Sequence, residues 1–132
     1  MGKRDYFRNG TIEMIALSLL NEADLYGYQL VQTIAERSGG VISIQIGSLY
    51  PVLYRLRDEG YISETQVPIG RRKFRIYYHI EPSGVEFYHN LLAEHQTYEA
   101  ALEKILHPPI PPRYSYGYSM LFPSEVCRRR NS

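Results

Sequence analysis

The hydrophobic positions of the first 60 residues follow the period of an α-helix in three successive segments. Thr11 is suited to cap a first helix that ends near Asn21, and a second helix begins around residue 26 and ends at the glycine pair 39–40. A third helix begins at Ser48, as its N-cap residue, and ends at Gly60. The apolar side chains that these helices bury, at spacings of three and four residues, are Ile12, Ile15, Ala16, Leu19, Leu30, Val31, Ile34, Ala35, Leu49, Val52, Leu53 and Leu56.

Beyond Gly60 the pattern changes to the two-residue period of a β-strand. Residues 74–80 alternate between a buried face and an exposed one, and residues 61–67, rich in β-branched and aromatic side chains, are suited to form a partner strand. Residues 68–73 then form a short hairpin loop that carries three consecutive cations. The buried face of the second strand consists of Phe74, Ile76, Tyr78 and Ile80, and the cations are Arg71, Arg72 and Lys73.

A last helix is predicted from about Pro82 to Leu106, opened by Ser83 and Glu86 in capping-box spacing. Its apolar positions step by four and three residues over three heptads from Gly84, which is typical of a helix that pairs with another helix. The seam contains one histidine, His95, for which two roles are possible: a pH-sensitive group of the interface or an ordinary interfacial histidine. The predicted dimer interface comprises Tyr88, Leu91, His95, Tyr98, Leu102 and Ile105.

Three short helices followed by a hairpin with a basic tip are the element order of a winged helix-turn-helix, a mainly α fold with a small β-hairpin wing. We predict a DNA-binding domain of this type at residues 1–80, a C-terminal dimerisation helix at 81–106 and a tail at 107–132. The tail holds five of the eight prolines and shows no regular period, which predicts an extended or disordered appendage. A docking peptide that uses the arginines at 128–130 is the alternative for this tail.

The distribution of charge separates the predicted segments further. The whole chain carries 15 basic and 14 acidic side chains, but residues 45–80 carry six and three, net +3, whereas residues 81–106 carry one and five, net −4. A basic segment attracts the phosphates of a nucleic acid, and an acidic helix avoids them. The charge pattern therefore predicts that the third helix and the hairpin face DNA and that the last helix faces away from it.

The third helix has an exposed face suited to contact DNA. With its apolar stripe inward, its outward side chains include two phenols and a guanidinium, which donate hydrogen bonds to phosphates or base edges. Tyrosines that flank a core with their hydroxyls in water would give the same pattern, and the adjacent basic hairpin favours DNA contact. Proline in the first turn of this helix costs no hydrogen bond. The outward residues are Tyr50, Pro51, Tyr54, Arg55 and Asp58.

Four strings of this sequence together resemble the PadR-like transcriptional regulators: LYGYQL at 25–30, GSLYPVL at 47–53, GRRK at 70–73 and YYHI at 77–80. The resemblance implies a winged-helix repressor that binds a promoter palindrome as a homodimer. It places Ser48, Tyr50, Pro51 and Arg55 on the recognition helix, Tyr28 near the phosphate backbone and residues 70–73 on the wing. The exposed face of the third helix adds Tyr54 to this set, and the run of positive charge adds Arg75. The residues predicted to bind double-stranded DNA are therefore Tyr28, Ser48, Tyr50, Pro51, Tyr54, Arg55, Gly70, Arg71, Arg72, Lys73 and Arg75.

The chain departs from some relatives in ways that bear on an effector. Its last helix is short and single, as in the smaller branch of the family, and the absence of tryptophan excludes a pocket built from that residue. Five aromatic side chains allow two interpretations. They line a cavity between protomers that binds a small aromatic or hydrophobic effector, or they serve only in core and interface packing. These are Tyr6, Phe7, Phe87, Tyr88 and Tyr98.

Other protein classes find less support in the sequence. Cys127 has no partner for a disulfide, and the apolar run at 14–20 is far shorter than the roughly 20 residues of a membrane span, so we expect a cytoplasmic protein without signal peptide or membrane segment. The histidines fit no common metal spacing and no glycine loop cradles phosphate, which predicts no enzyme, metal or cofactor. A winged-helix module that binds proteins rather than DNA is the remaining alternative.

Overall fold

The computed structural model describes residues 10–108 of the chain. It contains four helices and three strands in this part, in the order α1 (Thr11–Leu20), β1 (Leu25–Tyr26), α2 (Gly27–Arg37), α3 (Ile46–Asp58), β2 (Ile62–Gly70), β3 (Lys73–Ile80) and α4 (Pro82–Leu106). None of these helices is both long and apolar enough to cross a membrane. The predictions for Tyr6, Phe7 and nearly all of the tail lie outside the described residues.

The fold class is confirmed: three helices precede the hairpin of β2 and β3, which with β1 forms a small antiparallel sheet of strand order β1-β3-β2. The sequence pattern did not reveal β1, because a strand of two residues is too short to show a period. It pairs through Leu25 with Tyr78 and through Tyr26 with Tyr77, so the start of α2 is tied to the middle of the hairpin. This pairing brings α2 and the wing to one side of the domain.

The core of the domain includes the predicted stripe of α3, but the prediction for α1 was only partly right, because Leu17 and Leu20 are buried there while Ile12 and Ile15 are half-buried. Leu17, Leu30, Leu49 and Leu53 are fully buried, and Tyr78 of β3 is 2% exposed among them. Burial raises the pKa of the Tyr78 hydroxyl, which therefore stays protonated. At about 25 cal/mol for each Å² of apolar surface removed from water, these large side chains dominate the stability of the fold.

Two helices begin earlier than the sequence pattern predicts. Thr11 is the first helical residue rather than the cap, since Gly10, in the left-handed region at φ 87°, occupies the N-cap position. Helix α3 begins at Ile46, and Gln45 rather than Ser48 occupies its N-cap position. Pro51 therefore lies inside the helix and not in its first turn. The Gln45 carbonyl accepts the backbone hydrogen bonds of Ser48 and Leu49 at 2.9 and 3.0 Å, so the first turn of α3 is already closed at Ser48.

The start of α4 differs from the predicted capping box. Helix α4 begins at Pro82, and the Ser83 hydroxyl donates a hydrogen bond of 2.8 Å to the carbonyl oxygen of Gly60 instead of capping its own helix. Gly84 is buried against the backbone of Tyr61. The glycine that opens the predicted seam is thus a packing residue of the winged-helix domain.

The described residues form two compact units, 10–93 and 94–108, with the boundary inside α4. In the first unit, Val85, Phe87, Tyr88 and Leu91 of α4 pack against the winged-helix core. The second unit is the remainder of α4 and the two residues after it. The boundary proposed between residues 80 and 81 stays a prediction.

Candidate nucleic-acid interface

A groove of about 530 Å³ separates the start of α2 and one flank of α3 from the hairpin. Aromatic rings line most of this groove, and two guanidinium groups and one carboxylate supply its charge. Four of the predicted DNA-binding residues meet here, namely Tyr28, Tyr50, Tyr54 and Arg75. The remaining lining residues are Tyr26, Gly27, Arg57, Glu64, Phe74, Ile76 and Tyr78.

Two stacked phenols of α3 form one wall of the groove. The rings of Tyr50 and Tyr54 are stacked with centroids 5.6 Å apart, and the Arg57 guanidinium lies 4.9 Å from the Tyr54 ring centroid. Desolvation, together with the neighbouring Tyr54 and Tyr28, raises the pKa of Tyr50. The Tyr50 hydroxyl is therefore a neutral hydrogen-bond donor, as contact with a phosphate oxygen requires.

Close approach of α2 and α3 depends on Gly27. A Cβ atom at this position would lie 2.8 Å from the Tyr50 hydroxyl oxygen and 3.2 Å from Cδ1 of Ile46. Tyr28, the next residue, is 61% exposed at the start of α2. The glycine thus lets Tyr50 reach the start of α2 while Tyr28 points its side chain into solvent beside it.

The opposite wall of the groove comes from β1 and β3. The Arg75 guanidinium lies 4.1 Å from the ring centroid of Tyr26, a cation–π contact, and the Tyr26 ring meets Tyr77 edge to face at 5.2 Å. Arg75 is half-buried and lines the groove beside Tyr26. Contact of Arg75 with DNA stays a prediction.

Arg57 is a functional candidate that the sequence analysis missed. Its guanidinium lies 2.8 Å from the Glu64 carboxylate and 3.0 Å from that of Asp58, and the hydrogen bond that Arg57 donates to Glu64 is the main cause that raises the pKa of Arg57. It follows Tyr54 by three residues, a spacing that places both on one helical face and that was the available signal. The ion pair with Glu64 compensates a carboxylate that would otherwise repel phosphates in the groove.

Arg55 lies on the other flank of α3, away from the groove. Its guanidinium pairs with the carboxylate of Glu13 on α1, and the Arg55 and Glu13 side chains are 54% and 18% exposed. Ser48 and Pro51 are exposed on the same helix. The sequence placed Arg55 correctly on the surface of α3 but gave no sign of its partner, which is 42 residues distant along the chain.

The hairpin tip is tighter than the predicted loop of residues 68–73. Strand β2 continues to Gly70, which pairs with Lys73, so only Arg71 and Arg72 form the turn. Arg72 adopts φ 56°, a left-handed conformation that L side chains rarely take. The pairing shifts by one residue between Pro68 and Gly70.

The three cations of the tip are free of carboxylate partners. Arg71, Arg72 and Lys73 are exposed, and the ion pairs found within residues 10–108 include none of them. Unpaired cations on a narrow exposed hairpin keep their full attraction for an anionic partner. The tip and the aromatic groove are the two parts of the candidate interface.

The predicted dimer residues have different surroundings in the two units. In the first unit, the Tyr88 hydroxyl donates to the Ser18 hydroxyl at 3.3 Å, and Leu91 packs against the core. In the second unit, His95 contacts the Glu99 carboxylate at 3.3 Å. Tyr98, Leu102 and Ile105 are 44%, 38% and 75% exposed.

A second cavity of about 300 Å³ lies in the first unit, between α1, the end of α2 and the start of α4. Its wall is mainly aliphatic, and the Tyr88 and Ser18 hydroxyls supply polar groups. Arg37 at its edge is held by two hydrogen bonds to Glu22, of 2.8 and 2.6 Å. Phe87, another predicted cavity residue, instead stacks on Tyr61 at 4.3 Å. Across residues 10–108, no three His, Cys, Asp or Glu side chains come together as a metal site requires.

Comparisons with known proteins identify the class to which this winged-helix chain belongs. The profile of the transcriptional regulator PadR-like family matches residues 16–90, which is more than half of the chain, so the protein belongs to this family. The family is one of transcriptional regulators and not of enzymes. The match covers α1 from Ala16, then β1, α2, α3 and the hairpin of β2 and β3, and the first part of α4.

Individual relatives support the assignment. The negative transcriptional regulator PadR of Bacillus subtilis is 31% identical over 80 residues, which is 61% of this chain but only 44% of that protein. A transcriptional regulator from Clostridium thermocellum is similar in structure, with a TM-score of 0.67 and 32% identity over 72% of this chain and 89% of that one. A PadR family transcriptional regulator from Eggerthella lenta gives 0.66 and 31%, over 74% and 83%.

Proposed function

We propose that this protein binds duplex DNA in a sequence-specific way and represses transcription as a homodimer on a promoter palindrome. The observation that carries the proposal is the free cationic tip of Arg71, Arg72 and Lys73 beside a groove of hydrogen-bond donors. A protein-docking module would need neither. Because the partner is chromosomal DNA, we further propose that the protein acts in the cytoplasm.

In this proposal α3 and the wing contact different parts of the DNA. In a helix-turn-helix the second helix enters the major groove, and its N-terminal residues reach base edges. Ser48 and Pro51 are exposed on this part of α3 and are suited to that role. The hydroxyls of Tyr28 and Tyr54 then face the phosphate backbone, and the wing carries its cations over the neighbouring minor groove.

Dimerisation would supply the contacts that a single small domain lacks. Two recognition helices read half-sites when they stand about 34 Å apart, one turn of the duplex. The second unit exposes Tyr98, Leu102 and Ile105 at spacings of four and three residues on α4, which suits a helix pair. This segment is also acidic, so it disfavours contact with DNA.

The cavity between α1, α2 and α4 is suited to a small effector. Its volume of about 300 Å³ and its aliphatic wall suit a small aromatic or hydrophobic molecule, with the Tyr88 hydroxyl as a hydrogen-bond partner. Tyr88 lies on α4, the helix that continues into the predicted dimer segment. Occupation of this cavity would therefore act on the element proposed to set the spacing of the two recognition helices.

Selection of binding sites from randomised duplex DNA tests the proposal. The full chain should enrich a palindrome, which gives the half-site, spacing and symmetry together. The triple variant Arg71→Ala, Arg72→Ala, Lys73→Ala is the matched control and should enrich nothing at about 0.1 M salt, since its phosphate contacts are lost. No enrichment by the unaltered protein would overturn DNA binding and favour the protein-docking alternative.

A further inference from the structure

The tip of the hairpin exposes two large apolar side chains next to its cations. Phe74 is 58% exposed and Ile69 is 45% exposed. Phe74 pairs with Pro68 across the hairpin, while Ile69 falls at the register shift. Neither side chain is among the described hydrophobic residues that form the core or pack against it.

The exposure of Phe74 is the end of a gradient along one face of β3. Alternate residues of a strand share a face, so Phe74, Ile76 and Tyr78 lie on the same side. Tyr78 is 2% exposed, Ile76 is half-buried and Phe74 is mostly in solvent. The apolar face of the strand therefore continues beyond the domain, toward the turn that carries the free cations.

We propose that Phe74 is an apolar wedge that the wing inserts between two base steps of the DNA minor groove. This inference rests on the proposed function and extends it to how the wing reads DNA. Arg71, Arg72 and Lys73 would hold the flanking phosphates, which is the charge complementarity that selects DNA as the partner. Apolar side chains that enter the minor groove partly unstack a step and kink the duplex.

The direction of the Phe74 side chain agrees with this role. Phe74 lines the groove that α3 also lines through Tyr50 and Tyr54, so it faces the side of the wing on which a duplex bound by α3 would pass. A wedge at this point reads deformability rather than hydrogen bonds, since pyrimidine–purine steps unstack at the lowest cost. Phe74 would thus add sequence preference at a step that no donor or acceptor of the protein contacts.

The experiment uses the full chain and the duplex returned by site selection, with 2-aminopurine at the step under the wing. The unaltered protein and Phe74→Leu, which keeps an apolar side chain, should raise the fluorescence of the probe because the step unstacks. Phe74→Ser should bind through the retained cations and leave the fluorescence at the value of the free duplex. Because Phe74 is exposed, both variants should keep the melting temperature of the unaltered protein.

A second measurement tests the reading of deformability. Replacing the flexible step under the wing by a stiff A-tract should weaken binding of the unaltered protein by about tenfold and leave the affinity of Phe74→Ser almost unchanged. Equal fluorescence and equal A-tract penalties for all three proteins would overturn the wedge while DNA binding stands. No enrichment in the selection would overturn DNA binding itself and the wedge with it.

An exposed tip that is both apolar and cationic could also bind an anionic membrane surface, and a vesicle-binding experiment distinguishes this partner from DNA. Binding to vesicles of phosphatidylcholine with phosphatidylglycerol should be equally weak for the unaltered protein and for Phe74→Ser. Strong vesicle binding that Phe74→Ser abolishes, with DNA unstacking unaffected, would assign the tip to membranes and overturn the wedge.

Discussion

A Cβ atom built on Gly84 would lie 2.1 Å from the carbonyl oxygen of Tyr61. The start of α4 is therefore in direct contact with the backbone that leads from α3 into β2. The Ser83 hydroxyl bonds the carbonyl of Gly60 beside it. This junction anchors the first turn of α4 to the loop between α3 and β2.

Gly84→Ala should destabilise the protein by about 1–3 kcal/mol, because the added methyl group meets backbone and not the end of a flexible side chain. The change in free energy of unfolding is measured by urea titration. Gly47→Ala in α3 is the matched control, since no atom lies within 4 Å of a Cβ built there, and it should be neutral or stabilising by about 0.5–1 kcal/mol. Equal effects of the two changes would contradict the close packing at Gly84.

Arg72→Ala should weaken binding to all DNA sequences alike and reduce the slope of log affinity against log salt by about one unit, as loss of one phosphate contact does. Arg72→Gly removes the same charge but suits the left-handed backbone at φ 56°, so it should match that slope and be more stable than Arg72→Ala by about 1 kcal/mol. Lys104→Ala in the last turn of α4 is the control and should leave the slope unchanged. A slope that Arg72→Ala does not alter would remove Arg72 from the interface.

Arg55→Ala should cost about 1–3 kcal/mol of binding free energy and relax the preference at particular bases, if Arg55 reads base edges. Glu13→Gln should have a smaller effect of the same kind, because Glu13 orients the Arg55 guanidinium. In a double-mutant cycle on the selected duplex, the two changes should show a coupling free energy of about 1 kcal/mol. Additive losses would show that Glu13 does not act through Arg55.

The His79–Asp24 pair should make stability depend on pH. The Asp24 carboxylate accepts a hydrogen bond of 2.8 Å from Nδ1 of His79, and this bond is the main cause that raises the pKa of His79 above its ordinary value of 6.5. The folded pKa exceeds the unfolded one, so the stabilisation is fully present below about pH 6.5 and is lost as the pH rises through the folded pKa.

Denaturant midpoints measured from low to high pH test this dependence. The advantage of the unaltered protein over His79→Gln should shrink as the pH rises, and Asp24→Asn should flatten the profile. An NMR titration that places the pKa of His79 at or below 6.5 would contradict the pairing.

Leu102→Asp combined with Ile105→Asp should convert the proposed homodimer into a monomer, because both positions are exposed on the proposed seam of α4. Sedimentation equilibrium gives the mass. Ala100→Asp, also exposed and on the opposite side of the helix, should leave the dimer intact. A double variant that stays dimeric would place the interface elsewhere.

The fold was largely predictable because its signals are local. Apolar stripes at helical spacing marked α1, α2 and α3, and all four stripe residues of α3 are buried, whereas in α1 the buried Leu17 and Leu20 lay outside the predicted stripe. The alternation at 74–80 marked β3, but Phe74 lies beyond the edge of the core, so the pattern overestimated how far burial extends. Helix α4 was predicted from Pro82 to Leu106 and has these bounds.

The candidate interface was predictable only in part. The run of basic residues at 71–73 predicted the cations of the wing, and helical periodicity predicted the exposed phenols of α3. The groove that brings Tyr28, Tyr54 and Arg75 together required β1 to pair with β3, which no pattern indicated. Arg57 belongs to the site because of another tertiary contact, the ion pair between Arg57 on α3 and Glu64 on β2.

The sequence by itself determined which helices and strands form, the buried stripe of α3 and where positive charge accumulates, because periodicity and composition are properties of neighbouring residues. The tertiary structure decided which partners those residues meet. It paired Arg55 with Glu13, seated Gly84 on Tyr61 and began α3 at Ile46. These outcomes depend on contacts between residues far apart in the chain, which form only when the helices and the hairpin pack around a common core.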